Sequence, residues 1–228
     1  MDGRHIRCER NSRPRASSLG EGGRADQLSK RSPNRMRSRL RLTGSPADIE
    51  TTSPDRDLLL PLTRDQWRLE HLIRVVEETP SPRQRYQATV RLMAELTCQA
   101  VVREEHLYPF LADVIPHGDR LADQLLCQDH QDAETMRQLE ETDPDSAEFS
   151  RLSRILTQRV RHRIEVERSR LFPALRDFCL PDDLRRVTSH LAGGEHTART
   201  RLETCDLPDG PGFLERVYQV VITALHPV

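Results

Sequence analysis

The stretch Gln99–Leu111, QAVVREEHLYPFL, superposes on the stretch Arg163–Leu175, RIEVERSRLFPAL, with an offset of 64 residues. Each carries a leucine, an aromatic residue and a proline at its ninth to eleventh positions, and polar or charged residues at its first and fifth. The same offset brings Asp65-Gln66 onto Asp129-His130, Gln99 onto Arg163 and Arg103 onto Glu167. Self-similarity at a fixed spacing marks a duplicated supersecondary unit.

The residues around both copies repeat with the period of helices. Leu62, Leu69, Ile73 and Val76 fall on one stripe, and Thr63 with Gln66 reads as a capping box that opens a first helix. Pro80-Ser81-Pro82 ends that helix and starts a second, with Ser81 as its cap, running to about Val114 with a kink or end near Pro109. After Pro116-His117-Gly118 a third helix is expected from about Asp119 to Glu141, and after Asp143-Pro144-Asp145 a fourth from about Ser146 to Phe178. Four long helices joined by short loops predict an all-α fold, an up-down-up-down four-helix bundle built from two αα units. Beyond it, Pro181-Asp182-Asp183 starts a short helix expected to stop at Gly193-Gly194, and FLERVYQVVITALH (213–226) forms a last amphipathic segment.

Composition agrees with this division. The 228 residues are 36% hydrophobic and only 4% aromatic, enough for one core of helices that each bury a stripe and unsuited to an all-β sandwich or barrel. Residues 1–56 hold 13 basic and 7 acidic residues with almost no apolar periodicity, which predicts a disordered basic arm. Residues 57–178 form the expected bundle and residues 179–228 a C-terminal extension with one or two short helices. Lys30 is the sole lysine, so the arginine bias is discounted as evidence for phosphate binding, and a nucleic-acid partner is not expected. No apolar run reaches the roughly 18 residues that span a bilayer, and residues 1–15 carry five arginines and no apolar signal segment, so no membrane partner and a cytoplasmic location are expected. Five cysteines without a Cys-x-x-Cys pair make neither a disulfide framework nor a thiolate zinc site.

Helical spacing aims six polar residues at the bundle axis: Gln66, Gln99, Arg103, His130, Arg163 and Glu167. An unpaired buried amide is costly and an unpaired buried charge more so, so the cluster requires mutual pairing or a bound ligand. The segments LTRDQWRLEHLI, QAVVREEHLYPFL, CQDHQDA and RIEVERSRLFPALR together resemble the hemerythrin-like family, the His-His-Glu cation-binding domains, over about Leu58 to Arg176. That resemblance implies a four-helix bundle holding two non-heme irons on histidines and carboxylates, for dioxygen binding, oxygen or redox sensing, or iron handling.

At the family's ligand positions, however, this chain carries Gln66 and Gln99 for two histidines, Arg103 for a glutamate and Arg163 for another histidine; only His130 and Glu167 match. Two guanidiniums repel a metal cation at such range by several kcal/mol. The di-iron site is therefore read as degenerate, with no cofactor expected and no enzymatic activity: the chain has no Gly-rich phosphate loop, nucleophile elbow or His-Glu-x-x-His. A shifted mononuclear metal site on His130, Glu167 and His162, with non-heme iron as its cofactor, is the alternative. The metal-free reading makes Arg163 and Glu167 an ion pair bridged to Gln99, Gln66 and His130, with Arg103 seeking a carboxylate of its own. A non-catalytic binding or regulatory bundle then follows, with the C-terminal amphipathic segment as the surface for a protein partner or, as preferred here, packed on its own chain.

Overall fold

The structure is a computed structural model that describes residues 58–205 and 210–226. The expected N-terminal arm, 1–56, lies outside the described residues. Helix α1 spans Leu60–Glu78, α2 Pro82–Val114, α3 Gly118–Glu141 and α4 Ala147–Val166. A π-helical segment, Glu167–Leu171, joins α4 to α5, Phe172–Phe178; α6 (Pro181–Thr204) and α7 (Phe213–Leu225) follow. Among the described residues there is no strand. α1 packs on α2, α2 on α3, α3 on α4 and α4 back on α1, while α6 lies on α1 and α2 and α7 on α2, α3 and α6.

Local chemistry explains these boundaries. α1 starts a turn earlier than the capping box predicted, because Pro61 in its first turn has no N–H to satisfy and Thr63 donates its hydroxyl to the Leu59 carbonyl at 3.1 Å. Gln66 is thereby released from capping and turns inward. α2 continues past Pro109 to Val114. Its end is compact: His117 adopts a left-handed conformation (φ 59°), and a Cβ on Gly118 would lie 1.8 Å from the Leu111 carbonyl oxygen, so only glycine fits. Ser146 caps α4, accepting the Phe149 N–H at 3.0 Å. The π segment stands just before Pro173, which cannot donate to the Ser169 carbonyl; the chain widens there, and the Phe172 N–H reaches the Glu167 carbonyl five residues back.

Two apolar clusters fill the bundle. One gathers Leu69, Ile73, Leu92, Leu96, Met136, Phe149, Leu156 and Ile164; the other gathers Leu62, Leu107, Leu111, Leu125, Leu171, Phe172 and Leu175 together with Leu184 and Leu191 of α6. Each fully buried side chain of this kind contributes roughly 1.5–3 kcal/mol. Along α1, α2, α3 and α4 the inward polar residues stand between the members of these two clusters.

The C-terminal extension departs from expectation in one respect. α6 does not stop at Gly193-Gly194 but runs on to Thr204. Gly194 is a packing residue and not a terminator: a Cβ there would meet Val102 Cγ1 at 3.1 Å, so its absence brings α6 close to α2. The last segment packs on its own chain, burying Phe213, Val217 and Val221 against Cys98, Val101 and Ala198.

Candidate functional site

Between the two apolar clusters lies a layer of paired charges. Glu167, at the first position of the π segment, accepts from Gln66 Nε2 on α1 at 2.8 Å through Oε2 and from Arg103 Nη1 on α2 at 2.8 Å through Oε1. Asp129 on α3 accepts from Arg163 Nη1 of α4 at 2.7 Å through Oδ1 and from the Tyr108 hydroxyl through Oδ2. Arg163 Nε stands 3.9 Å from Glu167 Oε1, linking the two pairs. Gln66, Arg103, Asp129, Arg163 and Glu167 are all buried, Gln66 completely. Outside the layer Arg168 donates to Gln66 Oε1 at 2.9 Å and pairs with Glu70.

Electrostatics holds Arg103 and Tyr108 of this layer in their protonated forms. Burial is the largest influence on Arg103 and opposes its charge, but Glu167, Tyr108, Asp129 and Glu195 together outweigh it and hold the guanidinium charged. Burial first, then the Asp129 carboxylate, pushes the Tyr108 phenol well up, so it remains a hydrogen-bond donor.

A second network lies where α6 crosses α1 and α2. Arg199 donates to Glu95 at 2.8 and 3.0 Å, to Asp65 at 3.1 Å and to Glu195, while Gln99 donates to Glu95 at 2.9 Å. Burial, then the Asp65 carboxylate, pushes the Glu195 carboxyl up to about 8.

The three candidate metal ligands are not brought together. Glu167 is buried in the layer; His130 is exposed at the mouth of a cavity beside α2, and His162 is exposed in a groove between α3 and α4. The expectation that His130 faces the axis is corrected: Asp129, one residue and about 100° earlier, takes that place. Gln99 turns to Glu95 and not to Glu167, whereas Gln66 bridges to Glu167 and Arg103 finds a carboxylate. Spacing alone missed Asp129, Asp132, Tyr108, Glu95, Glu195 and Arg199. Two signals pointed to some of them: the repeat that aligns Asp129 with Asp65, and the i, i+4 spacing of Glu195 and Arg199.

The fit of a di-iron centre can be tested on this donor set. Both oxygens of Glu167 and both of Asp129 are already bonded. The buried polar atoms left without partners here are the N–H donors Arg103 Nε and Arg163 Nε and Nη2, with no lone pair for a metal, and two oxygens, Asp132 Oδ2 and Gln99 Oε1, too few to hold a pair of irons. Among the described residues no three His, Cys, Asp or Glu side chains are placed to hold a metal ion. The residues do not fit the group.

No curated protein and no solved structure matches the chain. The family model described as "Hemerythrin HHE cation binding domain" matches residues 61–175, half of the sequence and the same four segments that supply the charged layer. The chain is a member of the hemerythrin HHE cation-binding domain family.

Proposed function

We propose that this is a cytoplasmic hemerythrin-family protein in which an internal salt-bridge layer stands in place of a di-iron centre, and that it works as a non-catalytic binding or regulatory bundle. Its four long helices keep the family's up-down-up-down arrangement. The observation that carries the reading is the occupation of the layer by two guanidiniums, each hydrogen-bonded to a carboxylate, Arg103 to Glu167 and Arg163 to Asp129. A metal entering there would have to displace a buried cation and then face it across a few ångströms, with several kcal/mol of repulsion.

The test is anaerobic reconstitution with ferrous iron, exposure to air, gel filtration, then elemental analysis and an ultraviolet-visible spectrum. The expected result is no stoichiometric iron and no oxo-bridge absorption. About two irons per chain with that absorption would overturn the reading and restore oxygen or iron handling.

A further inference from the structure

The charged layer leaves two buried groups unused at one edge. Asp132 Oδ2 and Arg163 Nη2 have no hydrogen-bond partner, although the residues are only 3% and 1% exposed, and Arg163 Nη1 stops 3.8 Å short of Asp132 Oδ2. Native interiors leave few such groups without a reason. Both residues line a cavity of about 240 Å³ between α2 and α3. Its walls are apolar, with Leu96, Val101, Leu126, Ala133 and Met136 among them, and Glu104, His130 and Tyr218 of α7 also line it. A dry cavity on the order of 150 Å³ holds a benzene ring, so this one has room for a ring and a small polar head.

We propose that this cavity binds a small neutral primary amide carried on an apolar body, its carbonyl oxygen accepting from Arg163 Nη2 and its NH₂ donating to Asp132 Oδ2. The amide is the head group that offers one acceptor and one donor side by side without charge. A carboxylate would meet Arg163 but would also face Asp129, Asp132 and Glu104. An ammonium would satisfy Asp132 but leave the guanidinium unmatched and repelled. An apolar molecule without a head would leave both buried groups unsatisfied.

This inference deepens the proposed function by naming a ligand class, and it rests on that reading because Arg163 must remain a core cation. The experiment uses four phenyl probes that differ in the head group, benzamide, benzoate, benzylamine and toluene, titrated against the full chain at pH 7.5 by protein-observed NMR. Benzamide is expected to bind and to shift resonances of Leu126, Ala133 and Met136, with the other three weaker by roughly tenfold or more. Ala133→Phe, which fills the cavity, and Asp132→Leu, which removes the acceptor, are expected to lose benzamide; Ala100→Leu on the opposite wall serves if Ala133→Phe does not fold. Four probes of equal affinity, or no binding of benzamide, would overturn the proposal. Running the titration on chelator-treated protein separates the two failures: iron loading refutes the metal-free reading, whereas the probe series reads the cavity.

Discussion

Glu167→Gln isolates the charge at the centre of the layer while keeping its shape. The variant side chain can still accept from Gln66 through its amide oxygen, so what disappears is the anion beside Arg103. That guanidinium is 2% exposed, and its one hydrogen bond among the described residues is the 2.8 Å contact with Glu167; its Nε has no partner among them. Removing one member of such a buried pair strands the other and costs about 3–5 kcal/mol, far more than a neutral hydrogen bond of about 1 kcal/mol. In a domain of this size the loss corresponds to a fall in Tm of roughly 6 to 20 °C. The measurement is urea and thermal unfolding followed by far-ultraviolet circular dichroism, on protein treated with chelator. Adding Arg103→Met removes the stranded charge, and the double variant is expected to recover most of the loss. Melting of Glu167→Gln within about 0.5 kcal/mol of wild type would refute the charged layer. A loss that appears only in iron-treated protein would make Glu167 a metal ligand instead.

Three further outcomes test the surroundings of the layer. Gly193→Ala, where a Cβ meets nothing within 4 Å, is expected to stabilise by about 0.5–1 kcal/mol, whereas Gly194→Leu, pressed against Val102, is expected to destabilise by about 1–3 kcal/mol; equal effects in urea unfolding would refute the close approach of α6 to α2. Asp132 is raised from its ordinary 3.8 to about 6 by burial against the opposing pull of Arg163 and Arg159, with Asp129 adding to the rise. Between those values the folded state holds the proton that the unfolded state has lost, so the group's contribution falls as pH rises from about 4 to 6 and stays low above. The stability of Asp132→Asn relative to wild type is therefore expected to climb across that window by at most about 3 kcal/mol, and a flat difference would refute the assignment. Cys98 is fully buried, and burial followed by Glu95 and Glu195 pushes its thiol well up, so native protein is expected to shield it from thiol reagents until α6 and α7 open; labelling as fast as at Cys205 would contradict this.

The helices were legible because their signals are local and redundant. The stripe Leu62, Leu69, Ile73 and Val76 and the proline-marked junctions repeat one message. The inward residues were legible only to within one position. The repeat aligns Asp65-Gln66 with Asp129-His130, yet in α1 both residues are buried and in α3 only the aspartate is. Arg199 of α6 covers Asp65, whereas His130 stays exposed on α3. A third layer added by the C-terminal extension cannot be read from the bundle's own periodicity. The glycine pair misled for a related reason: Gly193-Gly194 carries the local signature of a helix stop, and only Val102, far off in the sequence, reveals that the second glycine serves a close helix approach. The π segment follows from Pro173, but the repeat alone does not predict it, because α2 runs past the equivalent Pro109.

Energy and register have separate sources in this bundle. The two apolar clusters supply most of the burial and tolerate substitution wherever volume is kept. The layer between them contributes little net stability, since desolvating four charges consumes much of what their pairing returns. It does demand one alignment: α1 supplies Gln66, α2 Arg103 and Tyr108, α3 Asp129, and α4 Arg163, with Glu167 at the start of the π turn, and slipping any helix by a residue strands a charge. A metal centre would impose the same alignment through coordination; in the proposed reading the guanidinium–carboxylate pairs impose it without iron. The pairing is incomplete at one edge. Arg163 satisfies Asp129 with one nitrogen and reaches toward Asp132 without closing the distance, which leaves a buried donor and a buried acceptor at the wall of an apolar cavity. In the proposed reading the absence of a metal centre and the binding cavity have one structural origin, the guanidinium of Arg163.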